Sequence, residues 1–291
     1  MEGGRRIKVK KWNLIIDVAK CHDCNNCFLA CKDEFFENDF PPFSSAQPRH
    51  GQRWMNIMRK ERGQYPKVDV SYLPLPCMHC DDAPCIKKSQ DAAVYKRRDG
   101  IVIIDPQKAK GRKEIVDTCP YGAIWWNEGT AVPQKCTFCV HLLENGWQQP
   151  RCVQACPTDA LAVVCVEDSE MQTIKRSEHL EDYQPHYKTR PRVFYKNLYR
   201  YTRCFIAGNV ALKYEDECAE GASVTLSKDP KMKIGDAETN NYGDFIIDNL
   251  EENSGKYNLT IELAGYKKKE MRVDLKTSVN LGTIFIQEEK A

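Results

Sequence analysis

No stretch of this sequence approaches the ~18 consecutive apolar residues of a membrane helix. An excess of one charge is also lacking: 43 Lys and Arg stand against 41 Asp and Glu, a formal net charge of +2. That balance gives no reason to expect a nucleic acid partner, and direct membrane insertion is not expected. No Rossmann fingerprint, phosphate loop or nucleophile–base motif is present. Histidine is absent after His186, so the C-terminal part offers no catalytic constellation. The basic opening RRIKVKK reads as a solvated start to a strand. No apolar stretch follows Arg5-Arg6, so no signal peptide is expected and a cytoplasmic protein is read.

Cysteine is what the chain has in excess, 15 in 291 residues, mostly in tight groups before residue 166. A secreted disulfide scaffold is normally smaller, whereas C-x₂-C spacing gathers thiolates around metal. CHDCNNCFLAC places Cys21, Cys24, Cys27 and Cys31 in the spacing of a two-cluster ferredoxin run. In such runs the fourth cysteine ligates the other cluster. The partner set is Cys136, Cys139, Cys152 and Cys156, followed by Pro157. Ligand exchange then assigns Cys21, Cys24, Cys27 and Cys156 to one [4Fe–4S] cluster. Cys31, Cys136, Cys139 and Cys152 fall to a second.

CMHCDDAPC adds Cys77, Cys80 and Cys85, and TCPYGA adds a solitary Cys119. The same rule makes Cys119 the fourth ligand of a third cluster. Counting back from Cys119 at the run's own spacing lands on Ile115, Arg112 and Ala109. The ligand expected after Cys85 lands on Ser89. These four absences coincide with one whole lost cluster, with Arg112 expected to place a cation where it would sit. Zinc also uses C-x₂-C pairs, but it needs no three-cysteine run ending in Cys-Pro. Cys165, Cys204 and Cys218 read as small buried apolar residues. Lys20, Lys32, Arg112 and Lys135 are each read first as surface charges, with a raised cluster potential as the alternative. His22, His79 and His141 flank ligand cysteines and can hydrogen-bond sulfur or a partner, but the count does not require them as ligands.

The organisation expected is α+β: a nested pair of bacterial ferredoxin-like two-cluster modules followed by an all-β sandwich. The outer module uses residues 13–36 and 131–166, and the inner one, about 76–126, is inserted in it. AAVYKRRDGIVIID reads as a hairpin turning at Asp99-Gly100. Residues 37–75 read as a long ordered loop and 167–200 as a charged linker ending in an aromatic-basic tail. From about 204 onward, short alternating runs give the β signature. The domain split expected is therefore 1–200 and 201–291. Three complete thiolate sets suggest a conducting row beside a catalytic subunit. An assembly scaffold with non-conducting clusters is the alternative of another class.

The quoted cysteine motifs, with DGIVIIDPQKAKG, QKCTFC and RCVQACPTDAL, resemble the iron–sulfur subunits of dimethyl sulfoxide reductase family molybdoenzymes. The likeness spans roughly residues 12–200. The departures at Ser89, Ala109, Arg112 and Ile115, together with GQRWMNIMRKERGQYP, RPRVFYKNLYR and the appended β region, narrow it. They look like the small subunits of the pyrogallol–phloroglucinol transhydroxylase type. That resemblance implies three [4Fe–4S] clusters here. It also implies a cytoplasmic heterodimer whose large subunit carries bis-molybdopterin guanine dinucleotide and acts on polyhydroxylated aromatics. Relatives that hydroxylate resorcinol, dehydroxylate catechols, or reduce arsenate or sulfur compounds are the alternative the same motifs allow.

Overall fold

The computed structural model describes residues 9–289, apart from 216, 230 and 231. Arg5 and Arg6 of the basic opening lie outside the described residues. The chain forms two compact units. One takes the chain up to Met58 and then Tyr72–Leu198; the other takes Arg59–Ser71 and everything from Tyr199 onward.

The N-terminal part begins with β1 (Lys11–Asp17) and α1 (Asn26–Phe35), then a pair of strands, β2 (Asn56–Gln64) and β3 (Lys67–Leu75). Next come α2 (Pro84–Lys87), the paired β4 (Val94–Lys96) and β5 (Val102–Ile104), and a 3-10 turn over Lys113–Thr118. The paired β6 (Trp125–Asn127) and β7 (Val132–Gln134) precede the short helices α3 (Val140–Glu144) and α4 (Arg151–Gln154). β8 (Leu161–Val166), α5 (Asp168–Ser177) and β9 (Val193–Lys196) complete this part. β1 lies between antiparallel β8 and parallel β9. Its centre, Asn13–Ile16, is buried throughout, as suits a middle strand covered on both faces.

Two segments differ from the sequence expectation. Residues 56–75 are paired strands, not loop. The charges of NIMRKERGQ hide its alternation, and the two-residue connection Tyr65-Pro66 carries neither Asn nor Gly to mark a turn. The aromatics of the preceding segment pack on this chain: Trp54 is 2% exposed and its ring centroid lies 4.7 Å from that of Phe35. Residues 168–177 are helix, not linker. Asp168 and Glu170 sit in its first turn and Lys175 and Arg176 in its last, which suits the helix dipole. Met171 and Ile174 join Ile15 and Phe194 in one apolar cluster. The aromatic-basic tail contributes the edge strand β9, with Val193, Phe194 and Tyr195 buried.

The hairpin of β4 and β5 has Val94 opposite Ile104 and Lys96 opposite Val102. Gly100 turns it at φ +87°, and a Cβ there would press within 2.9 Å of the Arg192 side chain.

In the second unit, β10 (Cys204–Leu212), β11 (Ser223–Ser227), β12 (Lys233–Glu238), β13 (Asp244–Leu250), β14 (Gly255–Glu262), β15 (Lys269–Leu275) and β16 (Val279–Ile286) form two sheets. Their orders are β13-β10-β16 and β12-β11-β14-β15. β14 alternates strictly, burying Tyr257, Leu259 and Ile261. These join Ile206, Phe245 and Leu275 in one apolar cluster fed by both sheets. In the same unit Arg62, 3% exposed, pairs with Asp69 at 2.5 Å and Asp248 at 2.9 Å.

Candidate metal centres

The three C-x₂-C loops share one backbone feature. The residue two after the first cysteine is left-handed in each: Asp23 (φ 56°), His79 (φ 44°) and Phe138 (φ 60°). Non-glycine residues adopt this conformation rarely. Finding it at the same place in three loops marks three backbone cradles of one kind. α1 then carries Cys27, Cys31 and Phe35 on one buried stripe, as i, i+4 spacing dictates. Leu29, on the opposite face, is 57% exposed.

The thiols gather into three neighbourhoods. Cys27 lies within electrostatic reach of Cys21, Cys24 and Cys156. Cys31 has Cys136 and Cys139 as neighbours, and Cys152 has all three of these. Cys80 has Cys77, Cys85 and Cys119. The neighbourhoods also come within electrostatic reach of one another in order. Cys27 of the first reaches Cys152 of the second, and Cys136 of the second reaches Cys77 of the third. Exposure falls away from the first: Cys24 is exposed, while Cys31, Cys139 and Cys152 are buried.

Among the described residues no three such side chains converge as tightly as one metal ion requires. The wider neighbourhoods suit a four-iron cluster, which spreads its thiolates over separate iron corners. A single zinc ion would draw all four to ~2.3 Å. The donor chemistry fits as well. Burial, then repulsion from Cys21, pushes the Cys27 thiol up to about 12. Burial, then Cys77, does the same to Cys80, and lifts Cys85 and Cys136 to about 11. Such thiols stay protonated unless a cation displaces the proton, so loading metal releases protons and couples to folding. An apolar-walled cavity lined by Cys31, Cys136, Cys139 and Cys152 of the second set, with Leu14 and Phe35, also takes in Cys77 of the third.

The four positions without cysteine cluster differently. Ala109 and Ile115 are fully buried apolar residues. The Ser89 hydroxyl donates to the Ile86 carbonyl at 3.1 Å. Arg112 does not aim its charge into a vacated site: its guanidinium donates to the Gln90 carbonyl at 2.9 Å and approaches Glu114 at 3.3 Å. Short apolar packing and local hydrogen bonds occupy this corner.

Other expectations need correcting. Lys135 is no surface charge; it is 2% exposed, and its ammonium donates to the carbonyls of Val102 and of Cys136, the latter at 3.0 Å. Lys32 is half-buried and donates to the Pro48 carbonyl at 3.0 Å. Lys20 is exposed. His141 shares a 2.9 Å hydrogen bond with Glu34 and stacks on Phe40 with ring centroids 3.7 Å apart. His79 is buried, with its basicity driven well down by burial and by Lys135 and Lys96 nearby. Cys204 is buried, Cys165 half-buried, and Cys218 is exposed rather than core.

Sequence reasoning missed several supports. Lys96 donates to the carbonyls of His79 (3.0 Å) and Cys80 (2.9 Å), so the hairpin strand grips the ligand loop. Thr189 hydrogen-bonds the Cys80 sulfur, and Gln47 Nε2 approaches the Cys31 sulfur at 3.9 Å. No local pattern marks these residues, because each reaches its thiol from a distant segment.

The description "4Fe-4S dicluster domain" matches residues 68–166. With the thiol neighbourhoods, that match identifies a ferredoxin-like 4Fe-4S dicluster domain within a chain of mixed helix and strand. The small subunit of pyrogallol hydroxytransferase of Pelobacter acidigallici is 44% identical to this chain, over 95% of this chain and 99% of that one. The chain belongs to the family of pyrogallol hydroxytransferase small subunits. The arsenate respiratory reductase iron–sulfur subunit of Shewanella sp. (strain ANA-3) is 30% identical, over 62% of this chain and 94% of that protein. The thiosulfate reductase electron transfer subunit of Salmonella typhi is 32% identical, over 55% of this chain and 78% of that protein. No helix among the described residues is long and apolar enough to cross a membrane.

Proposed function

We propose that this chain is the electron-transfer subunit of a cytoplasmic heterodimer, holding three [4Fe–4S] clusters for a molybdopterin catalytic subunit that acts on polyhydroxylated aromatics. Cys21, Cys24, Cys27 and Cys156 hold the first. Cys31, Cys136, Cys139 and Cys152 hold the second, and Cys77, Cys80, Cys85 and Cys119 the third. The arrangement is a nested pair of two-cluster modules followed by a β sandwich. A bound [4Fe–4S] cluster supplies one-electron exchange, with potential tuned by charge, hydrogen bonds and exposure.

One observation carries the reading: the thiol neighbourhoods adjoin in a row, through Cys27 and Cys152, then Cys136 and Cys77. A scaffold needs no such sequence of contacts. The likeness to the pyrogallol hydroxytransferase small subunit over nearly the whole length favours an aromatic substrate for the partner. The chain's own residues bury most of the second and third sets, leave the first nearest to water, and close the corner beyond the third with Ala109 and Ile115. Anaerobic co-purification from the native cell tests the proposal. Iron and sulfide should each approach ~12 per chain. A molybdenum-containing partner should co-elute and turn over pyrogallol. Recovery as a lone, molybdenum-free protein, or clusters that never change state in a redox titration, defeats it.

A further inference from the structure

Two buried polar groups beside the third thiol set lack the partners that their burial calls for. Lys135 is 2% exposed and, among the described residues, makes no ion pair with a carboxylate. Two of its three N–H donors go to backbone carbonyls. A buried ammonium left without a counter-charge is costly. Cysteine sulfurs lie within its electrostatic reach: Cys85 and Cys119 from the third set and Cys136 from the second. His79 is also 2% exposed. Its Nδ1 accepts the Val102 N–H at 3.0 Å, which places the ring proton on Nε2. That Nε2 is buried and has no acceptor in the protein. The ring is held edge-on against Phe138, with centroids 5.4 Å apart.

We propose that Lys135 and His79 are potential-setting residues, placing a buried positive charge and an N–H donor against the cluster held by Cys77, Cys80, Cys85 and Cys119, so that it is the most readily reduced of the three. The inference rests on the three-cluster reading above. Reduction adds one negative charge and breaks no bond; the electron comes from the neighbouring reduced [4Fe–4S] cluster of the row, which is oxidised by one electron. A fixed cation and an N–H donated to the cluster both favour the reduced form and raise the potential. The second set meets Lys135 only at Cys136, and its buried His141 turns Nε2 to Glu34, so that Nδ1 keeps no proton to donate. Lys32, beside Cys31, is half-exposed and so weakened by water. Beside the first set, Lys20 and His22 are both exposed, so neither places a desolvated charge or N–H against it.

Redox titration followed by electron paramagnetic resonance on the intact complex, with an iron count on every sample, tests it. Lys135→Met should lower the midpoint of the third cluster most, that of the second, which meets Lys135 at Cys136, by less, and leave the first in place. Lys135→Arg should restore most of the shift. His79→Leu should lower the third cluster's midpoint by less. With ¹⁵N-histidine, the reduced cluster should show a nitrogen coupling that His79→Leu abolishes. Midpoints unmoved by Lys135→Met, or all three moved alike, overturn the inference. If Lys135→Met arrives short of iron, His79→Leu decides, and an unmoved midpoint with an unchanged nitrogen signal overturns the inference. An unmodified chain with iron far from ~12 defeats the three-cluster reading instead.

Discussion

The two units are held together by different physics. The second has strands of five to nine residues whose alternate side chains meet in one apolar cluster. In the first, around the thiols, the paired strands β4 to β7 are only three residues long and the helices α2 to α4 four or five. Its buried positions are repeatedly cysteines: Cys27, Cys31, Cys77, Cys80, Cys85, Cys139 and Cys152. Elements that short do not nucleate alone, and a protonated thiol buries little apolar area. Metal ligation is then the cohesive term in one unit and hydrophobic burial in the other.

Stripping iron is the strongest way to break the comparison. All five tryptophans, Trp12, Trp54, Trp125, Trp126 and Trp147, belong to the first unit. Anaerobic chelation should therefore abolish the visible absorption and shift tryptophan emission to the red, while far-ultraviolet β signal persists. Loss of both signals together would show that the second unit depends on the metal too.

Removing one ligand should have the next largest effect. Cys119→Ala should lower iron from ~12 to ~8 per chain, on four irons per cluster. Arg112→Cys alone should add none, because Ala109 and Ile115 still fill the corner. Three unchanged spectroscopic signals in Cys119→Ala would refute the exchange of ligands at its most exposed step.

The converse damage belongs to the β unit. Leu259→Ala removes a fully buried side chain from the apolar cluster and should cost ~2–5 kcal/mol. A melt followed by β signal should fall in temperature with iron content unchanged.

The smallest effect is acid sensitivity at Arg62. Burial alone would raise the Asp69 carboxyl, but the hydrogen bond from Arg62, with Arg200 nearby, holds it below its ordinary value. A lowered folded value means its stabilisation is present above the unfolded value near ~3.9. It is lost as pH falls through the still lower folded value. Asp69→Asn should flatten that acid limb of the β-unit unfolding curve; an unchanged slope would remove Asp69 from the account.

The grouping of the thiols was legible because C-x₂-C spacing constrains neighbours directly. Three thiols on one tight loop fix their own separation, and the thiol neighbourhoods of Cys77, Cys80, Cys85 and Cys119 follow the same arithmetic. The hairpin around Asp99-Gly100 was legible for a similar reason, since a turn and two alternating runs are local. Where tertiary contact decides, local patterns were mute. β2 carries Arg59, Lys60, Glu61 and Arg62 in succession, which reads as solvated loop, yet Arg62 is buried because Asp69 and Asp248 meet it. α5 has a mean composition too polar for a core helix, and only Met171 is fully buried. Lys135 looked like a surface charge because lysine usually is one; only the approach of Val102 from another strand reveals otherwise.

Val102 gives its N–H to His79 and its carbonyl to Lys135. Both grips are backbone groups, indifferent to the side chain that follows the Cα. Exchange of this valine among other strand formers leaves them intact, and proline alone deletes the donor. Mutational scanning would therefore score position 102 only for the packing of its buried side chain, and both backbone bonds would go unread. The anchoring of both groups is, in the language of inheritance, nearly silent.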